Sequence, residues 1–165
     1  MPAVLALCEW LYQLPLSTAL RESEVAYPVV ETIHVLSVTL VAGAILFADL
    51  RILGLTLRSA PVSQVIGRIV PLAWSGFAIM AVTGSLLFMA EAAKLYGNVA
   101  FQAKLALLAL AGANQAIFHG AAYRSVHQWD LGPAPAAAQA GAAASIALWT
   151  GVIVSGRLIA YLHVH

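Results

Sequence analysis

Charge is what this sequence has least of. Only 9% of its 165 residues are charged and 62% are hydrophobic, whereas a soluble domain carries about a quarter charged residues. So few polar side chains cannot cover a water-soluble globule, which excludes a soluble enzyme or binding domain and implies a membrane protein. A net charge of +1 gives no field for nucleic acid or acidic ligands. Cysteine is nearly absent: Cys8 alone excludes an internal disulfide, a CxxC redox pair and c-type haem attachment. A thiolate metal site lacks ligands for the same reason. There is no nucleotide loop and no serine–histidine–carboxylate set at helical spacing, so nothing points to hydrolysis. The first 20 residues are apolar but lack a basic leader, and Glu9 and Pro15 interrupt them. We read residues 1–25 as a retained interfacial helix with Trp10 and Tyr12 at headgroup depth. Ser17 is the expected N-cap of the polar turn that follows.

What is present is long apolar runs. The stretch YPVVETIHVLSVTLVAGAILFADLRIL, residues 27–53, is long enough to cross a bilayer, where the backbone must satisfy itself as a helix. Three more runs follow, separated by the polar or proline-bearing connections LRSAPVSQ, KLYGN and HQWDLGPAPA. The expectation is an all-α fold: one domain, an antiparallel four-helix transmembrane bundle with spans near 28–55, 64–92, 101–124 and 138–162. Pro71 should kink the second span. Small residues, among them Gly76, Gly84, Gly141, Gly151 and Gly156, allow close helix approach in lipid. Loop Lys and Arg counts favour both termini outside a bacterial cytoplasmic membrane.

An ionisable group inside a span is costly, so each marks a candidate site. His34 is a candidate haem or metal ligand, with Glu31 one turn before it; the alternative is a structural hydrogen bond. His119 is the second candidate ligand, with Gln115 and Asn114 able to orient it. Arg157 lies near the depth of Glu31 and His34, where it pairs with Glu31 or holds a haem propionate. Trp74 and Trp149 are candidate pocket walls. Asp49 and Arg51 read as interfacial anchors, Asp49 pairing with Arg124. His163 is an additional ligand candidate for His34; His127 and His165 are weaker.

One haem shared by His34 and His119 meets a depth problem. At 1.5 Å rise per residue the two lie ~16 Å apart along the membrane normal, so two haems, one near each surface, suit the spacing better. The segments ETIHVL…FADLRILGL, PLAWSGFAIMAVTGSLLF, NQAIFHG and SGRLIAYL resemble a small bacterial four-helix integral membrane family of unknown function. That family is similar in outline to copper-resistance D domains and cytochrome b-like bundles, though no methionine cluster is present here. The resemblance implies that Glu31, His34, Asp49, Arg51, Trp74, Asn114, His119 and Arg157 occupy motif positions.

The expected function is therefore a b-type cytochrome-like membrane protein. It would bind haem b through His34 and His119 (cofactor contacts Arg157, Trp74, Asn114 and Glu31) and transfer electrons to or from quinone or a redox partner protein. Its partners would be the lipid bilayer and no nucleic acid, with homo-oligomer formation left open. The alternatives are a transport module for metal or protons, built on Glu31, His34 and Arg157, and a structural subunit without cofactor.

Overall fold

The computed structural model describes residues 2–162, and every described element is helical. The order is α1 (Pro2–Gln13), α2 (Pro15–Glu22), α3 (Ala26–Ile52), α4 (Val62–Tyr96), α5 (Val99–Gly120), a 3₁₀ helix (Tyr123–Gln128) and α6 (Ala136–Leu158). Three helices, α3, α4 and α6, are long and apolar enough to cross a membrane. α5 has the length, but Gln102, Lys104, Asn114 and Gln115 interrupt its apolar sequence.

The amino-terminal segment differs from a single interfacial helix. Pro15 opens a second helix, where its missing N–H is harmless, and α1 and α2 bend by 62° about this break. Ser17 thus lies inside α2, fully buried, and does not cap it. Arg21 ties the pair down: its guanidinium lies 3.8 Å over the Tyr12 ring and donates to the Tyr12 and Ala90 carbonyls. α4 leaves helical dihedrals next to that second carbonyl, at Glu91 (φ −124°, ψ 17°). Pro71, the expected kink, keeps its neighbours helical.

α3 and α4 pack as a hairpin, as residue pairs along the seam show. His34 meets Thr83 and Gly84 near one end, Val41 meets Gly76 midway, and Ile52 meets Val62 and Ile66 at the other. A β-carbon at Gly76 would lie 2.8 Å from Val41 Cγ2, so glycine is what permits this approach. Gly54, at φ 70°, supplies the left-handed residue that ends α3. α5 and α6 form a second hairpin through Leu107 against Gly151 and Asn114 against Gly141. Asn98 closes its open end: it caps α5 at Phe101 N–H and donates to the Ile159 and Leu162 carbonyls.

Two apolar clusters join the hairpins. One, in mid-bundle, contains Val41, Ala42, Met80, Ala111, Trp149 and Val152. The other contains Ile52, Val62, Ile66, Val126, Trp129 and Ala138, and covers the end where α3 stops. Over that end the connection to α6 is locked to the start of α4. Asp130 accepts from Ser63 N–H and Ser63 Oγ, each at 2.7 Å, and so caps α4 from a distant part of the chain. These bonds, the backbone N–H foremost, hold the Asp130 carboxyl below the usual carboxylate range. A depressed folded-state value adds stability above the unfolded value and loses it as pH falls through the folded one. Acid titration of unfolding in detergent should therefore show a loss below pH about 4 that Asp130→Asn lacks.

Candidate functional site

Two polar layers interrupt the bundle, on either side of the mid-bundle apolar cluster. The first surrounds His34. Thr83 Oγ1 lies 2.7 Å from the Ile79 carbonyl and shares a hydrogen bond with His34 Nδ1, 3.0 Å away. The imidazole is thereby held to α4 through Nδ1. The ring lies against Gly84, where a β-carbon would come within 2.9 Å of His34 Cε1. Lys104 of α5 is within electrostatic reach of the imidazole.

The second layer centres on Asp49. This carboxylic acid is 4% exposed, and its Oδ2 has no hydrogen-bond partner. Ser145 of α6 stands beside the carboxyl. Gln115 Nε2 of α5 donates to Ser145 Oγ at 3.4 Å. Most helical hydroxyls here turn back on their own helix, as Ser37, Ser85 and Thr150 do. Ser145 makes no such bond, so its hydrogen is available to Asp49. Glutamine, serine and aspartate thus line up across α5, α6 and α3. Among the described residues the only ion pair is Glu91–Lys94, so no cation neutralises Asp49. Arg51, two residues on, is equally buried but donates to the Ala60 and Asp130 carbonyls.

The residues proposed from sequence do not converge. His119 is exposed at the end of α5, its Nδ1 donating to the Gln115 carbonyl at 2.9 Å. Lys104 is the α5 residue near His34, and His119 lies 15 positions further, about 22 Å along the helix. The two imidazoles therefore cannot share one iron. Glu31 and Arg157 are exposed and make no ion pair with one another, and buried Asp49 makes none with exposed Arg124. Trp74 is 68% exposed beside Phe77, whereas Trp149 is buried. Asn114 donates to the Gly141 carbonyl rather than to a histidine. His163 and His165 lie outside the described residues.

At His34 the Nδ1 atom is engaged by Thr83 and the ring lies against Gly84. The imidazole fills the notch left by Gly84. Two cavities measure about 240 Å³, on the outer face of α3 at Glu31, Thr32, Val35 and Leu36, and about 270 Å³, between α5, α6 and their connection. Neither is lined by His34 or His119, and both fall below the roughly 300–1,000 Å³ of ordinary ligand pockets. The described geometry thus gives His34 and His119 no shared cavity. Nor do the described residues contain a cluster of three His, Cys, Asp or Glu able to hold a metal ion.

Asp49, expected as an interfacial anchor, is instead buried inside the helices. Lys104, Thr83 and Ser145 were missed. Lys104, just before the apolar run that starts at Leu105, is the charged residue of α5 that sequence makes visible.

A model of a protein family whose function is unknown matches residues 23–162. It carries no link to copper-resistance D or cytochrome b proteins. No curated protein and no solved structure matches the chain.

Proposed function

The chain belongs to the DUF6644 family, and from that premise we propose that it handles protons inside the membrane, with the Asp49 carboxyl as the group that takes up and releases them. The observation that carries this reading is the burial of Asp49 with Oδ2 unpartnered and no counter-cation. An uncompensated acid in a low-dielectric interior costs stability, and such residues are kept in transmembrane bundles chiefly at proton and ion sites. The Gln115–Ser145 pair supplies a donor to the carboxyl, so the site can favour either protonation state by rotating one hydroxyl. On this reading α3 to α6 form a four-helix bundle in a bacterial cytoplasmic membrane, and the apolar layer at Val41, Met80 and Trp149 separates Asp49 from His34. Direct proton hopping between the two is then blocked, and any crossing requires a change in packing.

Infrared difference spectroscopy on protein in liposomes tests the proposal. A pH step should give a protonated-carboxyl stretching band that Asp49→Asn abolishes. A preparation whose carboxyl bands are unchanged in that variant would reduce the protein to a scaffold. The haem alternative has its own readout: purified protein incubated with haem should show no Soret band that depends on His34 or His119. A band lost in His34→Ala would restore the cytochrome reading.

A further inference from the structure

Trp149 presents a second unmatched group. It is 7% exposed, and its indole N–H has no acceptor. Buried indole N–H groups usually find a partner, so this one requires a physical account. Trp149 lies one turn after Ser145 on α6, and Ile45, which packs on the same mid-bundle cluster, lies one turn before Asp49 on α3. The orphan donor and the orphan acceptor therefore belong to adjacent layers, about 6 Å apart along the axis. Side chains in a helix lean toward its amino terminus. Because Asp49 stands beside Ser145 while Ile45 shares a cluster with Trp149, α3 and α6 run in opposite directions. The indole thus leans toward Asp49, and the carboxylate leans toward Trp149.

We propose that a single ordered water occupies the α3–α6 seam, accepting from Trp149 Nε1–H and donating to Asp49 Oδ2. Water is the species that satisfies both atoms at once, because one needs an acceptor and the other a donor. No ionisable side chain of α4, α5 or α6 makes a hydrogen bond or ion pair with either atom. Asp49 has the Ser145 hydroxyl beside it with the Gln115 amide behind, and Trp149 belongs to the apolar mid-bundle cluster. The water's part as the immediate proton partner of Asp49 rests on the reading above. Its presence does not.

The chain has four tryptophans, so protein labelled with ¹⁵N at the indoles gives four resolvable signals, and Trp149→Phe identifies the one of interest. In nanodiscs the Trp149 N–H should show a magnetisation-transfer peak to water despite its burial. It should also shift in Asp49→Asn, while the Trp10 and Trp74 signals stay in place. Absence of the water peak overturns the proposal. So does a Trp149 signal that responds to Asp49→Asn without contacting water, since that reports a direct indole–carboxylate bond. The infrared band of Asp49 is read separately, so a bridging water beside a carboxyl that never changes protonation would sink the proton reading alone. If Trp149→Phe does not fold, assigning the other three signals with Trp10→Phe, Trp74→Phe and Trp129→Phe identifies Trp149 by elimination and keeps the measurement decisive.

Discussion

Asp49→Asn should reduce pH-gradient-driven proton movement in reconstituted vesicles by about 10²-fold or more, the lower end of what one positioned proton-transfer group contributes, and should do so without loosening the fold. The second half of that expectation separates a functional acid from a structural one. Asp49 is 4% exposed, has an unpartnered oxygen and pairs with no cation. Removing a formal charge from such a place relieves desolvation and breaks no ion pair. Thermal unfolding in detergent should therefore show the variant as stable as the parent or more so, by about 1 kcal/mol or more. Asp49→Glu should retain part of the proton movement, because the chemistry survives while the reach changes. A variant that unfolds, or that moves protons at the parental rate, would remove Asp49 from the mechanism. Stability gained together with activity lost is the pattern expected of a site held in place at the expense of the fold.

How far the sequence could lead depended on what kind of information each residue carries. The long apolar helices announced themselves, because α3, α4 and α6 each hold a run that only a helix can bury in lipid. The break at Pro15 was also visible. What sequence could not give was whether Leu14-Pro15 ends a helix or joins two, since that depends on α4 lying alongside to receive Arg21. Asp49 and Arg51 look alike on paper, two charged residues closing an apolar run. The fold gives them opposite circumstances: Arg51 finds two carbonyls and Asp49 finds no cation. Those carbonyls belong to Ala60 and Asp130, and the second is 79 positions away. No local pattern encodes such a partner. His34 drew attention as an isolated imidazole, yet the residue that holds it, Thr83, is an ordinary member of another helix. Ser145 was invisible for the opposite reason: small hydroxyl residues are so common in membrane helices that one more carries no signal until the fold sets it beside an acid.

Arg51 is the residue whose loss should cost the fold most. Its Nε donates to the Ala60 carbonyl at 2.9 Å and its Nη2 to the Asp130 carbonyl at 3.2 Å. The Asp130 carbonyl also receives the Val62 N–H. One guanidinium therefore joins the end of α3, the α3–α4 turn, the start of α4 and the connection before α6. Hydrogen bonds to a charged donor contribute about 1.5–3 kcal/mol each when buried, so Arg51→Met should lower unfolding free energy by about 3–5 kcal/mol. Arg51→Lys should recover little of it, because an ammonium cannot present two separated donors in the geometry of a planar fork. The damage should also be local before it is global. Hydrogen exchange should accelerate first in residues 121–135, whose attachment depends on this clamp and on the Asp130–Ser63 cap. Protection at Val41 and Ala111, in the mid-bundle cluster, should persist to higher denaturant. Equal acceleration in both regions would mean that the clamp and the bundle unfold as one unit, and the covering over Asp49 would then be no independent element.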